Sequence, residues 1–168
     1  DIPQNTNLLR IFCGGNQLSN LNLSQNILLN MLSCRSNQLT SLDVTQNLNL
    51  IHLECASNQL INLSLNNNTL LKVLGFHNNQ ISTIDVSNLT QLEYLGFNSN
   101  QLSNLDITSN TLLEVLQCDN NQLTNLNTLN NTSLASISCS SNLFTHLDFS
   151  HLQLLNSIWF ENNPNLIS

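Results

Sequence analysis

The stretch Leu39–Asn47, Leu-Thr-Ser-Leu-Asp-Val-Thr-Gln-Asn, decides the fold because it states a pattern that the chain repeats almost to its end. Written as L-x-x-L-x-L-x-x-N, the pattern places apolar side chains at its first, fourth and sixth residues. In a strand, the fourth and sixth side chains point to the same face. The pattern therefore predicts a succession of short strands that share one apolar face.

This pattern recurs with a period of 21 residues, and it occurs twice within each period, as at Leu29 and Leu39. The asparagine that closes the first half of each period lies at Asn16, Asn37, Asn58, Asn79, Asn100, Asn121, Asn142 and Asn163. The sequence thus predicts one domain of eight coils in register, preceded by a partial coil at residues 1–7. Coils 1 to 7 are 8–28, 29–49, 50–70, 71–91, 92–112, 113–133 and 134–154, and the incomplete coil 8 is 155–168. Positions are numbered below from the first residue of each coil.

A coil of this kind cannot cover its own apolar side chains and must stack on its neighbours. We expect a parallel sheet on the face of the first half-coil and short strand or extended segments on the opposite face. No stretch carries an apolar stripe of helical period, so no substantial helix is expected. Stacked coils should lie ~4.8 Å apart, which is the spacing of strands in a sheet.

The residues of Leu29–Asn47, in the form L-x-x-L-x-C-x-x-N-Q-L-T-x-L-D-V-T-x-N, resemble the leucine-rich repeat family. They are similar in particular to its bacterial 21-residue nested class, called IRREKO-type. The resemblance covers nearly the whole chain. It implies a right-handed solenoid that serves as a binding scaffold, commonly in secreted or cell-surface proteins, with a ligand surface on the first-strand face. It implies no enzymatic activity.

Composition narrows the range of partners. The chain has 168 residues, 40% of them hydrophobic and only 8% charged, with a net charge of -7. A surface with three basic residues offers no field for phosphate backbones, so nucleic acid is not expected as a partner. No apolar run approaches the ~20 residues that cross a bilayer, so membrane insertion is not expected. Because Asn, Ser, Thr and Gln supply the polarity, we expect an extracellular or cell-surface protein.

Two kinds of inward column hold the predicted coils together. The asparagines at position 9 should hydrogen-bond backbone groups of the turn, and a second column at position 19, which includes Asn47 and Asn68, should do the same. Leu89 and Leu152 replace asparagine in that second column. The five cysteines share position 6, and this spacing predicts buried thiols rather than a disulfide framework or a metal site.

Function is expected on the outward positions of the first sheet, because these change at every coil while neighbouring columns stay nearly constant. Two of the three basic residues, the only Tyr and Trp and all four glycines lie there. Gly75 and Gly96 predict a dent beside His77 and Tyr94. The candidate ligand-binding residues are Arg10, Phe12, Arg35, His52, Glu54, His77, Tyr94, Gln117 and Asp119.

The leading hypothesis is a non-catalytic scaffold that binds a protein partner, since Tyr and Arg are frequent anchors of protein contacts. A glycan-binding module is an alternative, because the dent could accept a sugar ring. Neither a metal site nor catalysis is expected: His52 and His77 lack a third ligand, and Glu54 and Asp119 lie three coils apart. No cofactor is expected.

The second half-coils present a regular outward array of short polar residues. Ordered hydroxyls could organise ice-like water, so ice binding is a second alternative function. The aspartates of this array, such as Asp85 and Asp106, should accept hydrogen bonds from turn N–H groups, and a calcium ion between them is the alternative. Thr128 and Leu129 interrupt the array in coil 6, where we expect a local weakness. Bare solenoid ends also predict end-to-end or edge self-association.

Overall fold

The computed structural model describes residues 2–167, which form a single parallel sheet of eight three-residue strands. The strands lie side by side in sequence order, and the described residues contain no helix. The strands are β1 (Arg10–Phe12), β2 (Met31–Ser33), β3 (His52–Glu54), β4 (Val73–Gly75), β5 (Tyr94–Gly96), β6 (Val115–Gln117), β7 (Ser136–Ser138) and β8 (Ser157–Trp159).

The register of the sheet confirms the 21-residue coil. Ile11 pairs with Leu32, and each later strand keeps this offset, so position 4 of every coil stacks on position 4 of the next. That position is buried in β1 to β7, whereas positions 3 and 5 face outward. The second half-coils are extended segments that do not pair as strands, as the alternative of strand or extended segments allowed.

Each strand ends because the chain turns at position 8, where the backbone adopts a left-handed conformation. Ser57 has a φ of 54° and Asn78 a φ of 52°, and Gly15 has a φ of 69°. Only Gly, Ser and Asn occupy this position in the described coils. Gly and Asn adopt positive φ at low cost, whereas Ser adopts it less readily. The turn directs the position-9 asparagine back toward the core.

The core is a continuous stack of inward side chains from both halves of each coil. Phe76 and Phe97 substitute for cysteine at position 6, and their rings stack with centroids 5.6 Å apart. Cys34 and Cys55 are free and buried, which agrees with the prediction of packed thiols. Burial raises the pKa of Cys34 to about 12 and that of Cys55 well above its usual range, so both are thiols at neutral pH.

The position-9 asparagines form the predicted ladder, and the interior copies are fully engaged. The side-chain amide of Asn79 donates to the carbonyl oxygens of Cys55, at 3.2 Å, and Phe76, at 3.0 Å. Its Oδ1 accepts the backbone N–H of Leu60 at 3.0 Å. Each such asparagine therefore joins two coils and satisfies an amide that faces the interior.

The position-19 asparagines form a second ladder whose bonds differ. Asn68 donates to the carbonyl oxygens of Val44 and Asn47, both at 3.0 Å, and these carbonyls already accept backbone N–H groups. The Oδ1 of Asn68 is buried without a hydrogen-bond partner. Leucine at this position, as at the buried Leu89, loses only second bonds to those carbonyls and removes an unpaired acceptor. This explains why only the second ladder contains leucine.

Coil 6 accommodates its irregular residues through a histidine of the next coil. Thr128 is buried, and its Oγ1 lies 3.3 Å from Nε2 of His151, which also lies 3.1 Å from the carbonyl oxygen of Thr128. Leu129 is 68% exposed on the opposite face. The strand of this coil, β6, is as regular as its neighbours. The expected weakness of coil 6 stays a prediction.

Candidate functional site

The outward face of the sheet holds a groove of about 1030 Å³ that runs across coils 1 to 6. Its walls come from positions 5, 7 and 8, between Phe12 at one end and Asn120 at the other. The repeat places these positions on one side of the solenoid because positions 4 and 6 are committed to the core. The groove is therefore a direct consequence of the 21-residue stack.

Six of the nine predicted site residues line this groove together: Phe12, Arg35, Glu54, His77, Gln117 and Asp119. Tyr94 does not line the groove itself, but its hydroxyl is hydrogen-bonded to two lining residues, His77 and Gln117. Arg10 and His52 begin β1 and β3 and lie outside the lining of the groove. The structure thus brings six of the nine candidate residues together on the groove, and ligand binding by any of the nine stays a prediction.

The prediction of a dent at Gly75 and Gly96 is wrong, because the protein's own side chains fill that space. A Cβ at Gly75 would lie 2.7 Å from a carboxylate oxygen of Glu54, and one at Gly96 would lie 2.5 Å from the Tyr94 hydroxyl. The imidazole of His77 also covers Gly96. The glycines are needed so that these side chains can lie flat on the sheet, and no cradle for a sugar ring is left there.

The hydrogen bonds around His77 fix its tautomer. Nδ1 accepts the backbone N–H of Asn98 at 3.0 Å, so it carries no proton. Nε2, 3.1 Å from the Tyr94 hydroxyl, therefore carries the proton and donates it to that oxygen. The hydroxyl in turn donates to Oε1 of Gln117 at 2.8 Å. The network holds these three side chains in one arrangement.

Burial lowers the pKa of His77 below its ordinary 6.5, although the negative charges of Glu54 and Asp119 act to raise it. Desolvation raises the pKa of Tyr94, and the charge of Glu54 adds to that effect. Both groups are therefore neutral at pH 7. The carboxylate of Glu54 makes no hydrogen bond or ion pair among residues 2–167, where the one ion pair joins Lys72 to Glu93.

Position 7 carries a chain of bonds that sequence reasoning missed. His77 accepts the N–H of Asn98, Asn98 accepts the N–H of Asp119 at 2.9 Å, and Asp119 accepts the N–H of Ser140 at 2.7 Å. The hydroxyl of Ser140 then donates to Glu161 at 2.7 Å. A signal was available, because consecutive coils carry an acceptor at this position from His77 onward. These hydrogen bonds join consecutive coils from coil 4 to coil 8 along position 7.

On the opposite face, hydroxyl groups donate hydrogen bonds to aspartates of the same coil. Asp85 accepts the backbone N–H of Ser87 at 2.9 Å and its hydroxyl at 2.6 Å, and Asp106 does the same with Thr108 at 2.9 and 2.6 Å. These bonds, that of the hydroxyl first, lower the pKa of both carboxyls. The prediction that these aspartates satisfy turn N–H groups is confirmed. Among residues 2–167, no three His, Cys, Asp or Glu side chains are grouped to hold a metal ion.

Comparison with solved structures places this geometry among known proteins. InlF, an internalin from Listeria monocytogenes, is 29% identical, covers 96% of this chain and 50% of its own length, and has a TM-score of 0.90. The functional domain of InlJ from the same organism, described as including a cysteine ladder, is 26% identical over 100% of this chain and 47% of its own, with a TM-score of 0.72. A leucine-rich repeat protein of Leptospira interrogans is 25% identical over 95% of this chain and 44% of its own, with a TM-score of 0.89.

These similarities and the helix-free stack of 21-residue coils define a leucine-rich repeat protein. The prediction of a bacterial leucine-rich repeat solenoid is confirmed by these similarities. It spans about half the length of the solved proteins that it matches. No family model and no curated protein matches the sequence. Residues 2–167 also contain no helix that could cross a membrane.

Proposed function

We propose that the chain is a non-catalytic scaffold that binds a protein partner in the groove of its sheet. The groove carries this proposal, because its size suits a protein segment and its walls mix aromatic, charged and polar side chains. The contacts proposed are Arg10, Phe12, Arg35, His52, Glu54, His77, Tyr94, Gln117 and Asp119. The likeness to internalins supports a secreted or surface-displayed protein, and adhesion to another cell or protein is the role that fits such a location.

The absence of chemistry in this proposal is supported by the hydrogen bonds of Asp119. The hydroxyl of Ser138 lies 2.7 and 2.6 Å from the two carboxylate oxygens of Asp119 and donates its one proton to this carboxylate, and Oδ1 also accepts the N–H of Ser140. A carboxylate engaged in this way orients the backbone and is poorly placed to take a proton from a substrate. This supports recognition through shape and hydrogen bonds as the use of the groove.

A matched pair of variants tests the proposal. Phe12 lies on the groove and is 69% exposed, whereas Leu129 lies on the opposite face and is 68% exposed. The chain is screened against an array of extracellular proteins, and each partner found is then measured with Phe12→Ala and Leu129→Ala. We expect Phe12→Ala to weaken binding about tenfold or more, as loss of an aromatic anchor does, and Leu129→Ala to leave it unchanged. The reverse result would exclude the groove.

The two alternatives have less support. Glycan binding has less support because Glu54, His77 and Tyr94 fill the space at Gly75 and Gly96 that a sugar ring would need. A glycan array on which the protein binds nothing would exclude it. The ice reading needs free hydroxyls, but those of Thr45 and Ser87 donate to their own aspartates. Absence of thermal hysteresis in dilute protein would end the ice reading.

A further inference from the structure

The carboxylate of Asp119 shows what position 7 can bind between two coils. It accepts hydrogen bonds from two donors of coil 7, the hydroxyl of Ser138 at position 5 and the backbone N–H of Ser140 at position 7. The chain provides both the carboxylate and its donors. The same pair of donors occurs once more where the chain provides no carboxylate.

That second place lies between coils 1 and 2. Ser33 occupies position 5 of coil 2, as Ser138 does in coil 7, and Arg35 occupies position 7. The residue that corresponds to Asp119 is Gly14, which has no side chain. Among the bonds within residues 2–167, neither the hydroxyl of Ser33 nor the N–H of Arg35 has an acceptor. A Cβ on Gly14 would lie 3.7 Å from that backbone nitrogen and 3.0 Å from the carbonyl oxygen of Arg35, so the nitrogen borders the space above the glycine.

The charges at this end of the groove favour an anion. Arg35 is exposed, and its guanidinium makes no ion pair within residues 2–167. Its Cγ lies 3.0 Å from the Cβ position of Gly14, so the side chain already reaches over the same space. Arg10 lies at the start of β1, and the outward positions of coils 1 and 2 contain no acid. Glu54, the first acid beyond them, leans away over Gly75.

We propose that this site binds the carboxylate of an aspartate or glutamate side chain of the protein partner. The hydroxyl of Ser33 and the N–H of Arg35 donate to the carboxylate as Ser138 and Ser140 donate to Asp119, and the guanidinium covers it from the solvent side. Phe12, next to the site, packs on the aliphatic part of the bound side chain. The inference rests on the proposed function, which it sharpens by naming the chemistry of one contact.

The experiment uses small probes and backbone amide signals of the whole chain. N-acetyl-aspartate N-methylamide is titrated into the isotopically labelled protein while the N–H signal of Arg35 is followed, and the asparagine analogue is the matched control. We expect a saturable shift with the aspartate probe alone. Arg35→Gln should weaken binding about tenfold, because a hydrogen bond to a charged group is lost. Gly14→Asp should abolish it, because the new carboxylate takes the Ser33 and Arg35 donors.

Amide exchange gives a second readout that needs no ligand. In the unmodified chain, the N–H of Arg35 should exchange faster than that of Ser140, and Gly14→Asp should slow the exchange of Arg35 toward that of Ser140. Equal shifts with both probes, no shift at Arg35, or unchanged binding in Gly14→Asp would overturn the inference. If the probe fails while Phe12→Ala still weakens the protein partner, only the carboxylate site is wrong. If neither the probe nor any partner binds, the proposed function fails as well.

Discussion

The two asparagine ladders predict unequal losses of stability from the same substitution. Asn79→Leu and Asn68→Leu both replace a buried asparagine of the solenoid interior by a side chain of similar shape. At Asn79 the change removes hydrogen bonds to the carbonyls of Cys55 and Phe76, and it leaves the N–H of Leu60 without an acceptor. At Asn68 it removes second bonds to two carbonyls and also removes an unpaired Oδ1.

The magnitudes follow from the cost of each lost group. A net hydrogen bond contributes about 1 kcal/mol, and a buried donor left unpaired costs about 1–3 kcal/mol. Asn79→Leu should therefore lower the free energy of unfolding by about 3–5 kcal/mol. Asn68→Leu should change it by no more than about 1 kcal/mol, because the relief of the unpaired acceptor offsets the lost second bonds. Leu89 already occupies the equivalent site in coil 4.

Urea denaturation followed by circular dichroism measures both variants under one set of conditions. The comparison holds if both keep the slope of the unmodified protein, since a changed slope indicates partial unfolding of the coil stack. Asn16→Leu is a useful third variant, because Asn16 is exposed in coil 1 and bonds only to carbonyls of its own coil. It should cost much less than Asn79→Leu. Equal losses at Asn68 and Asn79 would refute the account of the two ladders.

Three further predictions concern acidity, packing and reactivity. Since the pKa of His77 is lowered in the fold, the unfolded chain binds a proton at this histidine first as the pH falls, and the free energy of unfolding should decrease below about pH 6.5. His77→Gln should make the free energy of unfolding depend less on pH. Urea denaturation at several pH values measures this, and the same pH dependence in both proteins would contradict it. Gly96→Ala should separate His77 from Tyr94 and cost about 1–3 kcal/mol, measured by thermal unfolding, whereas a neutral effect would mean that the rings simply shift. Cys55 should resist a thiol reagent until the chain unfolds, while the half-buried Cys13 reacts first; equal rates in a mass-spectrometric time course would argue against tight packing.

The sequence predicted the features that depend on the period alone. A strict spacing determines which side chains stack, so the buried Leu32 and the ladder at Asn79 followed from it. Side-chain direction on the outward face does not follow, because the period leaves the rotamer of Glu54 free. The predicted dent at Gly75 failed for that reason. The left-handed turn at Ser57 was missed although its column contains only Gly, Ser and Asn, a composition that indicates positive φ.

The bonds at position 7 join coils 4 to 8 on the outer surface, whereas coils 1 to 3 are joined there by no such side chains. We therefore expect the two ends of the solenoid to differ in mechanical strength. A tether that pulled the ends apart would peel away the N-terminal coils first, from Gly14 toward Ala56, and would meet stronger resistance at His77. The carboxylate site lies in the part that yields first, so an occupied site would also act as a clamp against shear.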